Sequence, residues 1–264
     1  MKWLLSRLAE PSTWAGLAAF IPAAMGASAG PLTPQVIAGL AGGLAAAAAW
    51  AAQKERPTLS NILLTVAALV FAASIGLTGQ IFDIAGDPRS AAYGAGVAGF
   101  ALAAAGRSTG AALVGLIFIA IGDFTEHQWF SGADSEAPWM LIGAPLAGYL
   151  ALRWGSAALA HASALAIIYC FAWFATKTEA ESGVFLFLAI VMGAMAAGAR
   201  WLHAQDRAFA GIFYGWFTAG ALFLFAVAGY LPWFGSESGN GGIAHRIALL
   251  SISGGVLALG RFDR

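Results

Sequence analysis

The chain has few charged residues for its length. Charged side chains make up 10% of its 264 residues, whereas apolar side chains make up 60%. An ordinary soluble domain carries about 25% charged residues, so this composition excludes a typical water-soluble globular protein. The mean hydropathy of +0.77 points the same way. We therefore expect an integral membrane protein with the lipid bilayer as its first partner.

Other features are also scarce. The single cysteine, Cys170, cannot form an internal disulfide. The basic residues never form the clustered stripe that a nucleic-acid surface needs, so we exclude a nucleic-acid partner. The chain has no phosphate-binding glycine loop, no HExxH, no GxSxG and no CxxC motif. These absences indicate no cofactor and give no support for enzymatic activity.

The apolar residues fall into about ten long runs. A bilayer core of roughly 30 Å is crossed by about 20 helical residues, and continuous runs favour helices over the alternating pattern of a barrel. The predicted spans cover residues 13–29, 34–52, 59–82, 90–106, 108–125, 137–152, 155–175, 183–199, 208–233 and 243–260. The predicted fold class is an all-α polytopic membrane protein, a single domain over 1–264. Two five-helix halves, 1–130 and 131–264, are an alternative organisation.

Residues 1–30 could instead be a signal peptide, because basic residues precede an apolar run that ends in Ala27-Ser28-Ala29. Pro11-Ser12-Thr13 also reads as a helix start with a hydroxyl cap. We treat the segment as the first span. Its removal would leave nine spans.

The basic residues lie on alternate connections between these spans. Ten of the thirteen would share one side: Lys2, Arg7, Lys54, Arg56, Arg107, Arg153, Arg200, Arg207, Arg261 and Arg264. Nine of the thirteen acidic residues lie on the other side. Short loops rich in Lys and Arg stay in the cytoplasm, so both termini are predicted to be cytoplasmic.

Glycine is abundant, with 34 residues. Gly39/Gly43 and Gly211/Gly215 have the small-xxx-small spacing that lets helices approach closely. We expect these glycines to serve packing within the monomer, with a homo-oligomer contact as the alternative.

Polar residues gather at the predicted outer ends of two spans. Gln80, Asp83 and Asp87 share one helical face, and Asp123, Glu126 and His127 share another. Their possible charge partners are Arg89 and Arg246. Acids near a helix C-terminus oppose the macrodipole, so helix stability does not explain them. The group could bind a cation, hold a metal or relay protons, or these could be ordinary solvated helix ends.

His161 lies within the predicted seventh span. An ionisable side chain in a membrane helix is a functional candidate. The alternative is a neutral imidazole that is hydrogen-bonded to a neighbouring group.

The segment Gly79-Gln80-Ile81-Phe82-Asp83-Ile84-Ala85-Gly86-Asp87-Pro88 resembles the G-Q-I-(Y/F)-x-I-x-G-D segment of an uncharacterised bacterial family. Members are described only as predicted membrane proteins with a domain of unknown function, and the likeness extends loosely over residues 30–130. Asp83 stands where the family is expected to carry His. The resemblance implies several spans in a bacterial inner membrane and supplies no activity.

Three functional hypotheses follow from these features. The first is a small-solute or ion transporter that uses Gln80, Asp83, Asp87, Asp123, Glu126, His127 and His161. The second is a non-catalytic membrane module that binds or stabilises a partner membrane complex. The third is an intramembrane enzyme that uses the outer carboxylates.

Overall fold

The computed structural model describes residues 34–53, 56–81, 88–124, 138–178, 182–230 and 241–262. Within these ranges the secondary structure is entirely helical. The helices are α1 (Pro34–Gln53), α2 (Pro57–Ile81), α3 (Pro88–Gly106), α4 (Thr109–Phe124), α5 (Met140–Trp154), α6 (Ala157–Lys177), α7 (Ser182–Ala204), α8 (Ala210–Tyr230) and α9 (Gly241–Phe262). These helices correspond, in order, to the second to tenth predicted spans. The first predicted span, 13–29, lies outside the described residues.

The helix borders follow local chemistry. Proline opens α1, α2 and α3, where its missing N–H costs nothing because the first helical donors have no intrahelical partner. Gly155 ends α5 in the left-handed conformation at φ 67° and returns its N–H to the carbonyl of Ala151, as expected of a C-terminal glycine cap. Arg107, at φ 53°, turns the chain sharply between α3 and α4.

Four helices contain a segment long and apolar enough to cross a bilayer: Pro57–Gly76, Ala157–Ala175, Gly183–Ala204 and Ala210–Ala228. Most of each segment is not buried inside the protein. Large apolar side chains are exposed along many other described helices, for example Leu257 on α9 at 76%. Exposure of so many apolar side chains is unfavourable in water. In a bilayer, the lipid acyl chains would cover these side chains. The chain is a membrane protein, and the part of it that the structure describes is all-helical.

The described residues form two compact units, one before residue 160 and one from residue 160 onward. In the first unit α1 packs on α2, α3 packs on α4, α2 contacts both α3 and α4, and α5 contacts α4. In the second unit α7 and α8 form an antiparallel hairpin and α9 contacts α8.

The α3–α4 contact depends on glycine. A Cβ atom on Gly99 would lie 2.7 Å from the Cα of Gly115, and one on Gly115 would lie 2.8 Å from the carbonyl oxygen of Gly96. The two backbones therefore approach more closely than any side chain would permit. By contrast, a Cβ atom on Gly43 or Gly215 would meet nothing within 4 Å, so these two glycines make no close helix contact within the described part of the chain.

Candidate functional site

The structure describes three of the side chains singled out from the sequence: Arg89, Asp123 and His161. Gln80 lies in α2 and Arg246 lies in α9, but their side chains are outside the described part. Asp83, Asp87, Glu126 and His127 also lie outside it. The predicted convergence of four carboxylates therefore stays a prediction.

Asp123 is a buried carboxylate, 4% exposed, at the end of α4. Its Oδ1 accepts the backbone N–H of Trp139 at 3.0 Å, and its Oδ2 accepts the backbone N–H of Met140 at 3.0 Å. Both donors belong to the start of α5, where the first N–H groups have no intrahelical partner. Trp139 supplies no side-chain cap of its own. Asp123 therefore caps α5 from the preceding helix.

This contact explains why an acid is placed at the end of α4. A carboxylate opposes the dipole at the C-terminus of its own helix, but it complements the positive N-terminal end of α5. A bidentate, charge-assisted cap is also stronger than a neutral one. The acid is thus unfavourable for α4 alone and favourable for the α4–α5 pair.

A third donor completes the set. The Tyr93 hydroxyl of α3 donates to Asp123 Oδ1 at 2.6 Å. The same hydroxyl accepts a hydrogen bond from Arg89 Nε at 2.9 Å, and the guanidinium carbon lies 5.4 Å from the Tyr93 ring centroid. The phenol therefore bridges the Arg89 cation and the Asp123 anion. We call Arg89, Tyr93, Asp123 and Trp139 the outer network, after the side of the membrane on which the sequence predicts them.

The aromatic rings fix the position of the Tyr93 hydroxyl. Trp139 stacks on Tyr93 with ring centroids 4.9 Å apart and an interplanar angle of 17°. On α4, a Cβ atom at Gly122 would collide with the Tyr93 ring. The ring is held between the tryptophan and a glycine, which leaves its hydroxyl directed at Asp123.

A second polar cluster joins α2 to the start of α4. Asn61 Oδ1 accepts the hydroxyl of Ser108 at 2.7 Å and the backbone N–H of Gly110 at 3.2 Å. The Ser108 oxygen in turn accepts the N–H of Ala111 at 3.1 Å. Ser108 is fully buried. The cluster satisfies the first donors of α4 with one hydroxyl and one amide oxygen.

His161 has a defined partner in the second unit. The indole Nε1 of Trp216 donates to His161 Nδ1 at 2.8 Å, and the two rings meet edge to face at 6.2 Å. Indole can only donate, so His161 Nδ1 is the acceptor of this hydrogen bond. The pair lies near the first turns of α6 and α8 and joins these helices.

The hydrogen-bonding groups of the outer network are used within the protein itself and not on a ligand. Each described contact to Asp123 is a donor from the protein, and three donors occupy most of the acceptor sites of a carboxylate. Among the residues described, no three His, Cys, Asp or Glu side chains come together as a metal site would require. The arrangement orders helix ends and neutralises a buried charge.

Sequence reasoning singled out Asp123 and Arg89 but missed Tyr93, Asn61 and Ser108. One signal was available: Ala137-Pro138-Trp139 offers no side chain that could cap α5, so the cap had to come from elsewhere. No comparable signal pointed to Tyr93, because the hydrogen bond to Asp123 joins residues thirty positions apart.

No curated protein and no solved structure shows a match to this chain. Residues 31–112, which span α1, α2, α3 and the start of α4, match a family model described as "Predicted membrane protein (DUF2157)". In this region the chain is similar to an uncharacterised family of membrane proteins, as the motif beginning at Gly79 led us to expect.

Proposed function

We propose that this chain is a non-catalytic membrane module that binds or stabilises a partner membrane protein. It sits in a bacterial inner membrane and crosses it about ten times, with both termini in the cytoplasm. One observation supports a binding role over solute transport. Asp123, the candidate carboxylate that the structure describes, is buried and occupied by three donors of its own chain. A transport site needs a carboxylate that can exchange its partners.

The placement of polar contacts agrees with the proposed topology. Arg89 and Tyr93 begin α3, Asp123 ends α4, and Met140 begins α5. These ends meet in the outer network, as antiparallel neighbours require. Asn61 near the start of α2 meets Ser108 just before α4, at the opposite ends of the helices. In the second unit, His161 and Trp216 join helices that start from the same predicted side.

The test separates binding from transport. A photoreactive amino acid at exposed Leu257 is compared with one at buried Leu159, which is 0% exposed. We expect one defined membrane protein to crosslink at position 257 in cells and none at position 159. In parallel, purified chain in proteoliposomes should give no ion or solute flux above empty vesicles. Flux that Asp83→Asn and Glu126→Gln abolish would instead establish the transport hypothesis.

A further inference from the structure

Two neighbouring helices of the first unit carry exposed apolar side chains. These are Ile117, Ile121 and Phe124 on α4, and Ile142, Leu146 and Tyr149 on α5. Ile142 is 72% exposed and Tyr149 is 63% exposed. We call these six residues the α4–α5 surface. A surface of this kind needs an apolar partner, and the ends of the two helices indicate which one.

The polar or interfacial residues that bound the apolar part of each helix lie closer together than the thickness of a typical hydrocarbon core. On α4 the limits are its first residue, Thr109, and Asp123, which lie about 21 Å apart at the α-helical rise of about 1.5 Å per residue. On α5 they are Trp139 and Arg153, about 21 Å apart by the same rise. A typical hydrocarbon core is about 30 Å thick. For comparison, the first and last residues of the Gly183–Ala204 segment lie about 32 Å apart by the same rise.

The outer limit of α5 is rigid. Trp139 stacks on Tyr93, and its backbone N–H is bound by Asp123. The ring therefore cannot shift by the several ångströms that a thicker bilayer would demand. At the other end Arg153 is exposed in the last turn. Tryptophan and arginine at opposite ends of an exposed apolar face are typical of residues that anchor a helix at the two interfaces of a bilayer.

We propose that the α4–α5 surface is covered by phospholipid in a locally thinned bilayer and favours short acyl chains. A helix shorter than the hydrocarbon core thins the bilayer locally, at an energetic cost that rises with the mismatch. Short chains remove that cost. This inference rests on the proposed topology, because α4 and α5 must both cross the membrane. It does not depend on whether the chain binds a partner protein.

Lipid contact is tested first. A bimane label is attached to Ile142→Cys, or to Leu250→Cys on α9 as a site of matched exposure, both in a Cys170→Ala background. The purified chain is placed in nanodiscs that contain phosphatidylcholine brominated on its acyl chains. We expect fluorescence at position 142 to fall at least twofold. Unchanged fluorescence at 142 beside quenching at 250 would show that protein covers the surface, and would overturn the proposal.

Thickness is tested with matched arginine variants. The thermal midpoint is measured in phosphatidylcholine nanodiscs with monounsaturated chains of 14, 18 and 22 carbons. Wild type should lose stability as the chains lengthen. Arg153→Leu, which removes the inner limit of α5, should reduce that loss by more than half. Arg207→Leu, an exposed arginine before the long helix α8, should leave it unchanged.

Two results would overturn the proposal: an equal loss for Arg153→Leu and wild type, or an equal reduction for both arginine variants. If Arg153→Leu fails to fold, the wild-type profile still decides, because an optimum at 18 or 22 carbons contradicts a thinned bilayer. An error in the proposed topology would be detected separately, by labelling cysteines in the connections with a membrane-impermeant maleimide.

Discussion

Tyr93 donates its hydroxyl to Asp123 across 2.6 Å and so joins α3 to the end of α4. The same carboxylate binds the first N–H groups of α5. One buried acid therefore holds three helices together. Arg89 adds a positive charge to this group by donating a hydrogen bond to the Tyr93 hydroxyl. Such contacts matter because Asp123 is buried, so a lost partner leaves a buried polar group unsatisfied.

Removing the phenol hydroxyl should destabilise the protein. Tyr93→Phe keeps the ring stacked on Trp139 but leaves Asp123 with one donor fewer, so we expect a loss of about 1–3 kcal/mol in the free energy of unfolding. Tyr149→Phe is the matched control, since Tyr149 is 63% exposed, and it should cost less than about 0.5 kcal/mol. Denaturant titration in detergent micelles measures both.

The coupling between the two residues can be measured separately. In a double-mutant cycle with Asp123→Ala, which removes both acceptor oxygens, the Tyr93→Phe change should cost less than it does in wild type, by at least about 0.5 kcal/mol. Additive losses in the cycle would contradict a direct contact.

Close packing of α3 on α4 predicts a sharp difference between two glycines. Gly99→Ala places a methyl group 2.7 Å from a backbone atom of Gly115, and backbone cannot move aside as a flexible side chain can. We expect a loss of about 1–3 kcal/mol from the resulting overpacking. Gly254→Ala meets nothing within 4 Å and should be neutral or slightly stabilising, because alanine favours the helix.

Thermal unfolding of the two glycine variants in one detergent provides the comparison. A Gly99→Ala protein as stable as Gly254→Ala would mean that the two helices do not touch through their glycines.

Ser108 should contribute more to stability than Ser156, although both precede a helix. The Ser108 oxygen caps Ala111 at 3.1 Å, and its hydroxyl also donates to Asn61 at 2.7 Å. Ser156 makes a single long contact of 3.4 Å to Leu159. Loss of a cap costs about 0.5–2 kcal/mol, and Ser108→Ala also leaves the Asn61 acceptor short of a donor. We expect Ser108→Ala to be at least twice as destabilising as Ser156→Ala, measured by the same titration.

Much of the fold could be predicted from the sequence. The helix positions were predictable because apolar runs, prolines and charged connections mark them locally. Pro34 begins α1, and the predicted span 34–52 begins at the same residue. Four of these helices are long and apolar enough to cross a membrane. That the other helices also cross it is part of the proposed topology.

The site was only partly predictable. Asp123 stood out as an acid at an unfavourable helix end, but its partners depend on tertiary contacts. Tyr93 lies thirty positions away, and Ser108 lies 47 positions from Asn61. Neither distance leaves a periodic signal in the sequence. The packing glycines were missed for the same reason: spacing within a helix identifies small residues, but not which partner helix they face.

The most direct test of the central claim, that basic connections face the cytoplasm, is cysteine labelling in intact cells. In a Cys170→Ala background, Thr178→Cys marks the connection between α6 and α7, and Gln205→Cys marks the connection between α7 and α8. A membrane-impermeant maleimide should label position 178 in intact cells and position 205 only after the membrane is permeabilised. Labelling of both positions from one side, or of position 205 alone in intact cells, would contradict the account.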